Sequence, residues 1–203
     1  MSPAFTLALT ALVLTACGGG SDGGSGTTAP LPAPVATTAQ TTSVPASPTV
    51  SPASIDANCG LNSPGGIQAE VLQRVNALRS TGAVCGATSY PATTPLIWNS
   101  LLLKAATGHS ADMASNNYFS HTSLDGRTLS QRVLAAGYNY SAAGENIAAG
   151  QRSVESAMAG WINSPGHCQN LMEPLFRDIA VACVRNDSAT YSYYWTMDLG
   201  RTR

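Results

Sequence analysis

Gly144-Glu145-Asn146-Ile147-Ala148 stands between Tyr118-Phe119-Ser120-His121 and Ser164-Pro165-Gly166-His167, all within fifty residues of one another. Two of the chain's three histidines and one glutamate sit in these frames. Imidazole nitrogens and a carboxylate are the donors that bind a divalent metal or polarise a ligand. The middle string, in a largely apolar stretch, is expected to add a short strand. Ser164-Pro165 is a helix start, with Pro at the first helical position, so His167 falls in a first helical turn. There the positive end of the helix dipole disfavours imidazolium and leaves the neutral ring that ligates metal. Glu145, on an apolar strand, needs a partner, because buried carboxylates are almost never unpaired. Asn146 points to the opposite side of that strand and reads as a structural hydrogen-bonder.

Helical periodicity surrounds these strings. Ile67, Val71, Leu72, Val75 and Leu78 recur at helical spacing after a Ser63-Pro64 cap and stop at Gly82. A second helix begins near Asn99, with Leu102, Ala105, Ala106, His109 and Met113 on its apolar stripe. His109 on that stripe reads as a core histidine, with Asp112 one turn on as its partner. Leu129, Val133 and Ala136 mark a third helix before Gly137, and Ser153 to Trp161 a fourth. Near the C-terminus the period changes. Ile179, Val181 and Cys183, the turn Asn186-Asp187-Ser188 and the aromatic run from Tyr191 to Leu199 predict a β-hairpin. Helices around an antiparallel sheet make an α+β layered domain. Trp98, Trp161 and Trp195 are expected as core anchors.

Upstream the composition changes. Ala4 to Ala16 is apolar but too short for a bilayer, which needs about 20 residues. It reads as a signal segment over residues 1–17, although no Lys or Arg precedes Arg74. Leu14-Thr15-Ala16-Cys17 resembles a lipobox, which makes Cys17 the expected lipidation site and the membrane attachment. Residues 18–58 are Gly, Ser, Thr, Pro and Ala with little else, a linker that cannot bury enough surface to fold. As a flexible coil it would span roughly 35 Å. A Gly-x-Ser-x-Gly match from Gly19 to Gly23 falls in this linker, away from the strand-to-helix turn a nucleophile needs. Residues 59–203 then form one domain.

That domain holds all ten Lys and Arg and nine of the eleven Asp and Glu. Such a balance argues against a nucleic-acid partner. With Cys17 lipidated, Cys59, Cys85, Cys168 and Cys183 remain, an even number that reads as two disulfides in an exported protein. Four cysteines allow three pairings, and the spacing alone selects none. The local pairs Cys59–Cys85 and Cys168–Cys183, each bracketing one helix, are the expectation. No Cys-x-x-Cys spacing supports a thiolate metal site.

Together the motifs resemble one family. Leu96-x-Trp98-Asn99, His109-Ser110-x-Asp112-Met113-Ala114, Tyr118-Phe119-Ser120-His121 and Asp125-Gly126-Arg127 come first. Gly144-Glu145-Asn146-Ile147-Ala148, Gly160-Trp161-x-Asn163-Ser164-Pro165-Gly166-His167, Asn170-Leu171-Met172 and Tyr194-Trp195-Thr196 follow in order. This resembles the bacterial SCP-like branch of the CAP superfamily: cysteine-rich secretory proteins, antigen 5 and pathogenesis-related 1 proteins. The likeness runs from about Ile67 to Gly200. It implies an α-β-α sandwich with a small antiparallel central sheet and a cleft lined by His121, Glu145 and His167. The family's second cleft acid is replaced here by Ser164. The likeness also implies a binding module for a small apolar ligand, a peptide or a divalent metal such as zinc, with His121, Glu145 and His167 as the expected metal ligands. A metal-assisted or histidine-based hydrolase of peptide or cell-envelope material is the alternative, and a purely structural adhesin a third. The expected form is a monomer outside the cytoplasm, lipid-anchored to the cell envelope or secreted.

Overall fold

The structure is a computed structural model that describes Cys59 and residues 66–203. The signal segment, Cys17, the 18–58 linker and the Ser63-Pro64 cap lie outside the described residues. In chain order the elements are α1 (Gly66–Thr81), β1 (Ala83–Cys85), β2 (Thr88–Tyr90), β3 (Ile97–Trp98) and α2 (Ser100–Asn116). Then come α3 (Leu129–Ala135), β4 (Tyr140–Ala149), α4 (Val154–Asn163), α5 (Pro165–Met172), β5 (Asp178–Arg185) and β6 (Tyr193–Thr202).

The chemistry of the helix ends explains their positions. Asn99 caps α2 by accepting from the backbone N–H groups of Leu101 and Leu102. Ser153 caps α4 in a reciprocal box with Ser156. Gly137, at φ 98°, ends the third helix in a conformation that L side chains rarely adopt.

The main sheet has the order β3-β5-β6-β4. β4, β6 and β5 are antiparallel, and β3 adds a two-residue parallel edge. The expected hairpin is β5–β6, and the expected short strand is the ten-residue β4. β1 and β2 form a separate small hairpin. Both faces of the sheet are covered, which is why β5 is buried at seven successive positions rather than alternating. On one face Ile179, Val181, Trp195, Met197 and Leu199 pack against Val71 and Val75 of α1 and Met158 and Trp161 of α4. On the other, Leu102 and Ala105 of α2 pack with Val133, Tyr138 and Ala180, and Ile147 and Tyr194 with Met113. This is the α-β-α sandwich. Trp161 and Trp195 are fully buried anchors, whereas Trp98 is only partly buried.

The disulfides correct the local expectation. Cys59 pairs with Cys183 and Cys85 with Cys168, at Cα separations of 6.1 and 5.4 Å. The layers decide the pairing. Cys183 lies on the β5 face that packs against α1, and Cys59 belongs to the same cluster. Cys85, at the end of β1, shares a small cluster with Cys168 and Met172 of α5. Proximity in sequence favours local closure, but a disulfide needs its Cα atoms within about 7 Å, and packing supplies that.

Arg79 ties the α1 layer together. It is fully buried, and its guanidinium donates to the carbonyls of Thr94, Leu171, Glu173 and Phe176. Burial, and then the nearby Arg177 charge, lower its pKa to about 10.

Candidate functional site

β4 is an edge strand, and alternation along it feeds two layers at once. Glu145 faces the α2–α3 side and Asn146 the α5 side. Gly144 precedes them because a Cβ there would come within 2.8 Å of the Phe176 ring.

Glu145 is the hub. It is 7% exposed, and both carboxylate oxygens are engaged. His121 Nδ1 lies 2.8 Å from Oε1, and Arg132 Nη2 donates to Oε2 at 2.5 Å. Burial alone would raise its pKa, but the His121 hydrogen bond and the Arg132 charge outweigh that and hold it below the usual range. The carboxylate contact occupies Nδ1 of His121 and leaves Nε2 free. The His121 side chain is 57% exposed, so that nitrogen is open to solvent.

The loop carrying His121 is braced from beneath by two buried groups. Arg132 Nη1 donates to the carbonyls of His121 and Arg127 and to Ser123 Oγ. His109, 1% exposed, lies 2.9 Å through Nε2 from the Ser120 carbonyl. A carbonyl only accepts, so Nε2 carries the proton and Nδ1 faces Ser123 Oγ at 3.4 Å. Burial lowers the His109 pKa and keeps the ring neutral, although Glu145 pulls the other way. His109 is therefore the core histidine that the helical stripe predicts. Its partners, however, are Ser120 and Ser123 rather than Asp112. Asp112 instead accepts from Asn116 and Tyr118. Tyr118 reaches it from the loop, displacing the simple one-turn pairing that the helix spacing suggests.

His167 arrives from the other layer. Asn146 Nδ2 donates to its carbonyl at 3.1 Å, and Asn146 Oδ1 accepts from Asn170 at 2.8 Å. The neighbouring Cys168 is fixed to β1 by its disulfide. Asn146 is thus the structural hydrogen-bonder expected. His167 is partly buried, and burial followed by the influence of His121 lowers its pKa, which makes the neutral ring its resting form. Glu145 and His121 are in contact, and His167 lies within electrostatic range of His121. Among the described residues no set of three or more His, Cys, Asp or Glu side chains lies close enough together to hold a metal ion.

Two functional residues escaped the sequence reading. Arg132 looked like any charged helical residue, yet it is 4% exposed and neutralises Glu145. Asp198 sits directly across from Glu145 in the β4–β6 register and is completely buried. Neither of its oxygens has a hydrogen-bond partner. Burial, reinforced by the Glu145 charge, raises its pKa well above the carboxylate range, so it is a neutral acid. A second carboxyl therefore stands buried beside Glu145 despite Ser164, contributed by a different strand. An acid inside the aromatic run from Tyr191 to Leu199 was the one available signal.

A model of the CAP family, described as the cysteine-rich secretory protein family, matches residues 72–199. The chain belongs to that family. It is 38% identical over 94 residues to "Uncharacterized protein YkwD" of Bacillus subtilis (strain 168), a stretch covering 46% of this chain and 37% of YkwD. The crystal structure of an extracellular protein containing an SCP domain from Bacillus anthracis str. Ames is 29% identical, with a TM-score of 0.58. That match covers 77% of this chain and 45% of the other. An outer surface protein from Borrelia burgdorferi shares the fold at 18% identity and a TM-score of 0.57, covering 68% of this chain and 93% of that one. This CAP chain thus spans less than half the length of YkwD and of the Bacillus anthracis chain.

Proposed function

We propose that this CAP protein is an extracytoplasmic binding module, tethered to the envelope through Cys17, whose cleft takes a divalent metal, zinc being the best fit. The observation that carries the reading is the His121–Glu145 contact. A carboxylate on one imidazole nitrogen orients the ring and makes the opposite nitrogen a better ligand. The ligands would be His121 Nε2 and His167, the latter presented neutral. Glu145 stays behind His121 and does not ligate, because Arg132 already shares its charge. Two imidazoles fit an exchangeable ion with open positions for water or a small ligand, not a closed structural site. When bound, the metal would supply Lewis acidity.

Binding is favoured over hydrolysis because Glu145, the ionised cleft carboxylate, has both oxygens occupied and is no free general base. The extracytoplasmic location is supported by the two disulfides, which persist in oxidising compartments. The extracellular description of the Bacillus anthracis relative agrees.

Calorimetry with zinc on the wild type, His121→Ala, His167→Ala and Glu145→Gln tests this. Each histidine variant should lose binding, and Glu145→Gln should weaken it about 10–100-fold. Ligation requires deprotonated imidazole. With His167 held below the free-histidine value of 6.5, its proton competition sets in only as pH falls beneath that value. Equal zinc affinity in the wild type and a His121–His167 double variant would sink the metal reading and favour an apolar ligand.

A further inference from the structure

A cavity of about 700 Å³ lies between α2 and α3. None of His121, Glu145 and His167 lines it, although Arg132 and Ser123, which brace the His121 loop, do. Its long wall is the face of α2 bearing Lys104, Gly108 and Asp112, three residues on one i, i+4, i+8 ridge.

Two observations point to an occupant. Gly108 sits near the middle of a 17-residue helix, where glycine is less favourable than alanine. Packing does not require it, because a Cβ there would meet nothing within 4 Å. The space it leaves belongs to the cavity. Charges of opposite sign mark the two ends. Lys104 is exposed and forms no ion pair or hydrogen bond among the described residues. Asp112 has two partners and spare lone pairs.

Eight residues of helix separate Lys104 from Asp112, roughly 12 Å of axial rise. An extended peptide of four residues spans about 13 Å. We propose that this cavity binds a short extended peptide, its free C-terminal carboxylate at Lys104 and its N-terminal ammonium at Asp112. Small apolar side chains lie against Leu103, Gly108 and Ala111. A simple amphipathic anion fits less well, because its apolar body would lie against Asp112.

The probe is tetraalanine, titrated into the isotope-labelled, oxidised full chain and followed by amide chemical shifts. Free tetraalanine should bind saturably with shifts along α2. C-terminal amidation should weaken binding about fivefold in the wild type and have no effect in Lys104→Ala. N-acetylation should do the same, with its effect lost in Asp112→Asn. Gly108→Leu should abolish binding while raising or preserving thermal stability, because it fills the groove and improves helix propensity. The proposal falls if tetraalanine shows no saturable binding at millimolar concentration, or if the doubly blocked peptide binds as well as the free one. It also falls if Gly108→Leu binds normally, or if decanoate occupies the groove and tetraalanine does not. The zinc titration is a separate readout and is untouched by any of these results.

Discussion

Two carboxyls stand opposite each other on β4 and β6, and they are charged differently because their surroundings differ. Glu145 is hydrogen-bonded to Arg132 and His121 and stays ionised; Asp198 bonds to neither, and burial and the Glu145 charge outweigh the Arg132 charge and keep its proton on. The raised Asp198 pKa fixes the sign of a pH effect. Between the unfolded carboxyl value near 3.9 and the folded value, the native state holds a proton that the unfolded chain has released. Asp198's contribution to stability is therefore complete below about pH 4 and is lost as pH rises, by up to ~1.4 kcal/mol per pH unit. Asp198→Asn should flatten that slope, so that its stability relative to wild type improves as pH rises from about 4 towards neutrality. Urea unfolding across that range checks it, and parallel curves for the two proteins would remove the neutral-acid reading. None of this was legible from the sequence. His121, Glu145 and His167 carry distinctive frames, whereas Asp198 matters only through a cross-strand register that joins positions 53 residues apart.

At the scale of elements, legibility followed length. The helices announced themselves by period and by the Asn99 and Ser153 caps. β1, β2 and β3 are two or three residues each, too short to show any period. β4 was legible only in part, since Tyr140 to Ala143 are small or half-buried residues without alternation. The cysteine pairing was hidden for a different reason. It depends on which layers meet, and the observed separations of 124 and 83 residues belong to one of two long-range choices among the three. Long loops constrain the unfolded chain more, so each bond is worth more than a local one on the chain-entropy model. Replacing Cys85 and Cys168 together with Ala should cost about 2–5 kcal/mol in denaturant unfolding. The same change should loosen the start of α5 and so weaken zinc binding at His167. Peptide mapping of exported protein should find Cys59 linked to Cys183. A Cys59–Cys85 peptide would overturn the arrangement.

At the scale of the whole molecule, the sandwich brings His121 from the α2 side and His167 from the α5 side to a single edge strand. Either layer alone would hold half a site, which is why the three sequence frames predict a shared cleft but cannot supply its bracing. The cleft's place in the cell depends on a part of the chain outside that sandwich. No described helix is long and apolar enough to cross a membrane, so the proposed attachment rests on Cys17. One acyl chain binds a membrane only marginally, and stable anchoring takes more than one, each adding ~0.8 kcal/mol per buried CH₂. Cys17→Ser should remove the anchor without touching the folded domain, because all four cysteines of the two disulfides remain. The variant should leave the membrane fraction, either released into the medium or left unprocessed, while any released protein keeps the wild-type melting temperature and zinc affinity. A Cys17→Ser protein that still fractionates as a processed membrane protein would show that attachment comes from elsewhere.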